Sequence, residues 1–257
     1  MPYALVTGST SGIGAAFARL LAREGYDLVL VARDGQRNEA LGAELTASVR
    51  VKVEVMVADL STEQGRALVE ERVADHTRPI EVLVNNAGFG LRESFKNSTL
   101  ADEQAQLDVL VTAPLRFAHV ALPAMLARGR GFIINVGSVA AFIPANTYSS
   151  AKSYLTVFSE ALSSQLAGTG VRACVVAPGY THTEFHERAG MDMSALPEFL
   201  WLDATAVAEQ AWRDCKAGKA LSVPGGQYQV LSTLARYAPR PLVRLAALRR
   251  PGPRLRD

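Results

Sequence analysis

Tyr148 and Lys152 stand four residues apart in Tyr148-Ser149-Ser150-Ala151-Lys152, a run that opens a long segment of helix-favouring residues. Side chains at that spacing share one helical face. A free phenol has a pKa of about 10 and transfers protons poorly near neutrality unless a neighbouring cation favours its phenolate form. Lys152 can supply that charge. Upstream, Ile134-Asn135-Val136-Gly137-Ser138 ends a β-rich run on a hydroxyl. The chemistry expected of this set is reversible proton transfer at a carbonyl or alcohol oxygen. Tyr148 would be the general acid and base, while Ser138 donates a hydrogen bond to the oxygen as negative charge develops. Tyr and Lys also share helical faces for no chemical reason, so the spacing alone is weak.

A second set lies near the N-terminus. Thr7-Gly8-Ser9-Thr10-Ser11-Gly12-Ile13-Gly14 follows an apolar run and precedes the helix-forming Ala15-Ala16-Phe17-Ala18-Arg19-Leu20-Leu21. A strand, a glycine-rich turn and a helix N-terminus present backbone N–H groups and the positive end of a helix dipole to a diphosphate. Taken alone, the glycines could mark no more than a tight turn.

The spacing Gly-x-x-x-Gly-x-Gly, with Asn85-Asn86-Ala87-Gly88, the Ser138, Tyr148 and Lys152 set, and Pro178-Gly179-Tyr180-Thr181-His182-Thr183 in that order, resembles the short-chain dehydrogenase/reductase family over residues 4 to 183. The resemblance implies a hydride transfer between a nicotinamide dinucleotide and a ketone or alcohol. It implies cofactor contacts at Gly8, Ser9, Ser11, Gly12, Ile13, Gly14, Asp59, Leu60, Asn86, Ala87 and Gly88. It adds Pro178, Gly179, Thr181 and Thr183 around the nicotinamide, with Tyr148 and Lys152 touching both cofactor and chemistry. Cofactor choice should be settled at the end of the second strand, Val31-Ala32-Arg33-Asp34. Ala32 stands where an acid would bind the ribose hydroxyls, and Arg33 offers a guanidinium suited to a 2′-phosphate. NADP(H) is therefore expected, the alternative being that Arg33 is a solvated charge and Asp34 binds the ribose.

Two departures from the family pattern are visible. Ser138 and Tyr148 are 10 residues apart, a few fewer than in many relatives, so Ala141–Thr147 should be a tight loop. Leu107-Asp108-Val109 stands where many relatives have Leu-Asn-Val, whose Asn completes a proton relay to the lysine. Asp108 is carried as a doubtful member of the catalytic set: it could accept bonds, pair with Lys152, or be structural.

Positioning these residues calls for a Rossmann-like, doubly wound, parallel seven-stranded sheet with helices on both faces. Short β-rich runs alternate with longer amphipathic ones almost end to end. The strands are expected at Ala4–Thr7, Asp27–Ala32, Val51–Val57, Val82–Asn85, Phe132–Val136, Val171–Ala177 and Ala220–Val223, each but the last followed by a helix. Alternation of Val51, Val53, Val55 and Val57 with Lys52, Glu54 and Met56 marks an edge strand; Leu28–Val31 and Val82–Val84 are continuous apolar runs that belong inside. Gly25 should close the first helix, and Thr62 or Ser61 should cap the helix after the third strand.

The 257 residues divide into a single dinucleotide-binding and catalytic domain over 1–235, with a lid near 184–203, and a basic tail over 236–257. Phe, Met, Leu and Trp in the lid favour an apolar carbonyl substrate, lipid-, steroid- or acyl-like, over a sugar. His186 and Glu187 are left out of the chemistry as a lid pair more often solvated or locally paired. The tail holds seven arginines and one aspartate, a net +6 against −4 for the rest, which together give the chain its +2. A helix over Leu242–Arg250 should dock Leu242, Leu245 and Leu248 on the body or a second subunit, a membrane surface being the less favoured partner. Nucleic acid is not expected, because the charge lies in one short tail without stacking aromatics.

Cys174 and Cys215 form neither a disulfide framework nor a metal spacing, no segment reads as a secretory signal, and none is long enough for an apolar membrane span, so a cytoplasmic location is expected. No metal is expected. The resemblance implies a homodimer or homotetramer. Two rivals remain: a non-catalytic NADP(H)-binding sensor or scaffold, for which Asp108 is the best support, and an NAD-linked alcohol dehydrogenase.

Overall fold

The computed structural model describes residues 1–249, and side chains for residues 1–244. Seven strands form one parallel sheet: β1 (Tyr3–Thr7), β2 (Asp27–Ala32), β3 (Val53–Val57), β4 (Ile80–Asn85), β5 (Gly131–Val136), β6 (Val171–Val176) and β7 (Leu221–Ser222). Their order is β3-β2-β1-β4-β5-β6-β7. The chain thus winds outward from β1 in both directions, and the crevice between the C-terminal ends of β1 and β4 is the switch point where such sheets bind ligands.

Helices cover both faces because both faces of the inner strands are apolar. On one side α1 (Gly12–Arg23), α2 (Gly35–Val49) and α8 (Ala204–Lys216) bury Phe17, Leu21, Leu45 and Trp212 against Leu28, Leu30 and Val84. On the other side α3 (Glu63–Val73), α5 (Ala113–Arg128) and α6 (Thr147–Gln165) bury Val69, Phe117, Met125 and Leu162 against Leu5, Leu83 and Ile133. Strands β2 and β4 are buried throughout, whereas β3 is half-buried and ends on the exposed Val57, as expected of an edge. Gly25, at φ +89°, follows α1, and the Thr62 hydroxyl caps α3 by accepting from Gly65 N–H.

Three expectations need correction. Val51 is buried but precedes β3, which begins at Val53. β7 is followed by a helix, α9 (Gly226–Tyr237). The continuous helical stretch Leu100–Arg128, formed by α4 (Leu100–Leu107), a π-helical turn over Asp108–Thr112 and α5, is long and apolar enough by length and composition to cross a membrane. Here Val109, Ala113, Phe117, Ala121 and Met125 pack into the core.

The tail's helix, α10, spans Arg240–Arg249, starting before the expected Leu242. Val243 is buried and Leu242 is 58% exposed, so the docking residue on this turn is Val243 rather than Leu242. The side chains of Leu245 and Leu248, and the whole of 250–257, lie outside the described residues.

Candidate active site

The glycine turn is held from below by its neighbours. Gly8 and Gly12 adopt φ +67° and +53°, a region open to glycine at no steric penalty. Gly8 N–H donates to Val31 O at 2.8 Å, and the Asn86 amide donates to Thr7 O and Gly8 O at 2.9 and 3.0 Å. Both Asn86 N–H and Ala87 N–H donate to the Thr7 hydroxyl at 3.0 Å, which stitches the Asn-Asn-Ala-Gly loop to the turn. A Cβ on Gly14 would fall 2.1 Å from Gly8 O, so the turn and the first residues of α1 interlock without room for a side chain. Ser11 stands at the N-cap with its side chain uncommitted to capping, and Gly12, Ile13 and Gly14 form the first turn of the helix. A Cβ on Gly12 would meet Thr183, so the loop after β6 reaches over the turn.

A cavity of ≈ 330 Å³ opens at this switch point. Gly8, Ala32, Arg33, Asp34, Asp59, Leu60, Ala87 and Gly88, read from the sequence, line it, together with Thr10, Val31, Ala58, Phe89, Val109 and Arg188. Arg33 is exposed on its wall. Asp34 accepts Arg37 N–H at 3.0 Å as the cap of α2, a structural task for the residue offered as the alternative ribose ligand. Burial pushes the Asp59 carboxyl up, but hydrogen bonds from the Ser61 backbone and hydroxyl and the nearby Arg33 charge outweigh it and hold the group below its usual range. The ends of β2 and β3 thus join a cation to an acid beside an apolar slot. That donor set and the glycine cradle fit an adenosine with attached phosphates.

Two residues expected to touch the cofactor have hydroxyls turned inward. Ser9 is fully buried, its hydroxyl donating to Asn38 Oδ1 at 2.6 Å and lying 3.3 Å from Val31 O, so it fastens the turn to β2 and α2. Thr181 is 3% exposed, its hydroxyl donating to Gly179 O. Pro178 O accepts Val139 N–H at 3.0 Å, and Gly179 lies so close to the Tyr228 ring that a Cβ would fall 2.0 Å from it. Tyr228, on α9, therefore shapes the loop from a part of the chain that carries no motif.

Across the crevice, Ser138 leaves β5 in extended backbone and starts a short 3-10 turn over Val139–Phe142. Asn146 and Ser149 then make a reciprocal capping box that starts α6. These two devices span the short interval and confirm the tightness expected of it. They bring the Ser138 hydroxyl, which accepts Ala140 N–H at 3.1 Å, close enough to the Tyr148 phenol to favour its ionised form. Lys152 is 4% exposed, its ammonium 5.6 Å from the Tyr148 ring centre and donating to Val136 O at 2.5 Å. Burial pushes the Tyr148 phenol up to about 12, with the Ser138 hydrogen bond pulling it down; burial pulls the Lys152 ammonium down to about 8. The expected lowering of the tyrosine by Lys152 is therefore not the dominant effect in this arrangement.

Asp108 does not pair with Lys152. Its carboxylate lies 3.6 Å from Arg66 and accepts from Gln104 and Thr112, while Arg66 donates to Leu60 O. The π-helical turn that begins at Asp108 instead carries Leu110 toward the lysine. A Cβ on Gly88 would sit 2.8 Å from Leu110 Cδ2 and 3.8 Å from Lys152 Nζ, so all three crowd one spot. Such turns recur at functional sites because the extra residue re-aims the side chains that follow.

The lid carries α7 (Phe185–Arg188), whose Phe185 ring lies 5.5 Å from the Tyr148 ring. His186 is half-buried among the rings of Tyr180, Phe185 and Trp201 rather than solvated, and burial and nearby His182 lower its pKa.

A family model described as short chain dehydrogenase matches residues 2–193. Sulfoacetaldehyde reductase 2 of Chromohalobacter salexigens is 36% identical over 207 residues, 78% of this chain and 81% of that protein. A short-chain dehydrogenase from Sphingobium yanoikuyae in complex with NADPH superposes with a TM-score of 0.84 at 33% identity, over 91% of this chain and 93% of the other. A bulky-bulky ketone specific alcohol dehydrogenase from Comamonas testosteroni gives a TM-score of 0.79 at 30% identity, over 92% of each chain.

Proposed function

The chain belongs to the short-chain dehydrogenase family of oxidoreductases, and from that premise we propose that it is an NADP(H)-dependent carbonyl reductase acting on an apolar ketone or the matching alcohol. The observation that carries this reading is the convergence of Ser138, Tyr148 and Lys152 at one side of the crevice, with the Lys152 ammonium 5.6 Å from the tyrosine ring centre. NADP(H), when bound, supplies or accepts the hydride. In the reductive direction the Ser138 hydroxyl donates to the carbonyl oxygen and Tyr148 delivers the proton; oxidation reverses both roles. Lys152 holds its positive charge beside the phenol and favours its ionised form at the moment the proton leaves. Gly8, Gly12, Gly14, Asn86, Ala87 and Gly88 shape the cradle, with Asp59 and Leu60 at its adenine end and Thr183 over the turn.

NADP(H) is favoured over NAD because Arg33 stands exposed in the cavity lining while Asp34, in the same lining, spends one carboxylate oxygen on capping α2. An apolar substrate is supported by Phe185 against Tyr148, and by Ala189, Phe185 and Met191 clustered around Gly90. The ketone enzyme from Comamonas testosteroni points the same way; the name of the Chromohalobacter protein points to a small anionic aldehyde. Exposed Leu115 and Leu126 on α5, with Tyr154 and Val157 on α6, support the accompanying expectation of a homodimer or homotetramer.

The first test is titration of NADPH and NADH into wild type and Arg33→Ala at fixed salt, followed by turnover on bulky apolar ketones and small anionic aldehydes. Tighter NADPH binding that Arg33→Ala weakens by roughly 10- to 100-fold, with turnover confined to the ketones, is expected. Equal or preferential NADH binding would favour the NAD-linked reading, faster turnover of the anionic aldehyde would overturn the apolar pocket, and no binding of either nucleotide would leave a non-enzymatic role.

A further inference from the structure

We infer that Arg188, on the lid, is a phosphate ligand of the bound dinucleotide, so that the lid closes on the cofactor as well as on the substrate. The inference rests on the dinucleotide reading above and adds a residue to it. Arg188 is the one residue of the lid that lines the ≈ 330 Å³ cavity, where it joins Thr10 of the glycine turn and Arg33 at the end of β2. No other described residue of that lining carries a positive charge besides Arg33.

The charges around it explain why the guanidinium is available. Glu184 lies between two arginines: Arg37 grips both of its oxygens at 3.0 and 2.6 Å, and Arg188 donates to one of them from Nη2. The bond to Arg37 chiefly, with further help from the Arg188 charge, outweighs burial and holds the Glu184 carboxyl below its usual range. Glu184 is thus shared by two guanidinium groups, with Asp34 also acting on Arg37. Arg37 alone makes a bidentate pair with the carboxylate, and it is itself moored to Thr10 O at 3.3 Å. Glu184 therefore keeps a full partner if Arg188 turns to an anion, and the Nη1 and Nε edge of Arg188 lies outside its bond to Glu184. A phosphate in the cavity would find a charge-assisted donor already oriented by a carboxylate one helical turn away.

Either of two phosphate sources in one cofactor would satisfy this chemistry, the diphosphate over the glycine turn or the 2′-phosphate beside Arg33. The experiment compares Arg188→Gln and Glu184→Gln with wild type, using NADPH, NADH and 2′,5′-ADP as probes in fluorescence or calorimetric titrations at one salt concentration. Arg188→Gln is expected to weaken NADPH binding by about tenfold. A matching loss for NADH identifies the diphosphate; a loss confined to NADPH and 2′,5′-ADP identifies the 2′-phosphate. Glu184→Gln frees Arg188 from its carboxylate and should leave NADPH binding undiminished. Unchanged binding in Arg188→Gln overturns the inference, as does an equal loss in both variants, which would make the pair only a latch for the lid. Wild type that binds neither NADPH nor NADH would defeat the cofactor reading itself, an outcome separable from either of these.

Discussion

The two walls of the crevice are held in place by different physics. On the β5 and α6 wall, Ser138, Tyr148 and Lys152 are fixed by backbone: an extended exit from the strand, a capping box, and an ammonium donating to Val136 O inside a region with almost no solvent. On the β2 and lid wall, Arg37, Glu184 and Arg188 are held by ion pairs whose members are 39 to 54% exposed in their side chains, and Arg33 stands exposed beside them. Exposed pairs contribute little to stability, about 0–1 kcal/mol each, and rearrange readily. The difference teaches a division of labour: the wall proposed to move a proton is fixed by backbone and buried at Lys152, and the wall proposed to receive the cofactor's phosphates is wet and adjustable.

The strongest way to break that comparison is Tyr148→Phe. The variant keeps the ring against Phe185 and removes only the hydroxyl. Turnover should fall by about 10² to 10⁴, the span of a lost general acid, while NADPH binding stays nearly constant. Steady-state kinetics beside a binding titration read both. Turnover close to wild type would remove Tyr148 from the chemistry and leave the rigid wall without its task.

The second prediction uses pH to separate the walls. Burial lowers the Lys152 pKa from 10.5 to about 8 in the folded chain. Between those values the unfolded chain binds more protons than the folded one, so the Lys152 contribution to stability rises with pH through that window. Urea unfolding of wild type against Lys152→Met should show the wild type gaining about 2 kcal/mol on the variant between pH 8 and 10. Tyr148, raised to about 12, works in the opposite direction only above pH 10, where the unfolded phenol ionises first. The lid wall responds at the other end of the scale: with Glu184 held below its usual range, its contribution is present above the ordinary carboxylate pKa and is lost as pH falls through the depressed value. A flat difference between wild type and Lys152→Met from pH 8 to 10 would show that the lysine is better solvated than its 4% exposure indicates.

The rigid wall was legible in the sequence because its positions are set by local rules. Alternation and apolar runs located the strands, the Tyr148 and Lys152 spacing described a helical face, and the glycines marked a turn whose crowding admits no Cβ. The adjustable wall was legible only in part. Arg33 follows a strand and could be placed, but Arg37 and Arg188 meet through Glu184, 147 residues from Arg37, and no spacing encodes that contact. The inward turn of the Ser9 and Thr181 hydroxyls was hidden for a related reason: within a motif, the sequence does not say which hydroxyl fastens a loop. The π-helical turn at Asp108–Thr112 was invisible as well, because one extra residue per turn leaves composition unchanged while it rotates Leu110 into the place where a polar residue was sought.

That rotation gives the smallest prediction and the one that most sharpens the comparison. If Asp108 served a proton relay, Asp108→Asn would change the rate or its pH profile, because the exchange replaces an acceptor by an amide that also donates. The structure gives Asp108 a different post: it faces Arg66, which in turn donates to Leu60 O beside the cavity. The variant should therefore leave the rate constant and its pH dependence unchanged and weaken NADPH binding by no more than about 1 kcal/mol, through a loosened Leu60 loop. Leu110→Asn, in the same turn, places an amide beside Lys152 and supplies the control: an altered pH profile there, with none in Asp108→Asn, would assign the contact with the rigid wall to residue 110. The reverse pattern would return Asp108 to the catalytic set and dissolve the boundary drawn between the two walls.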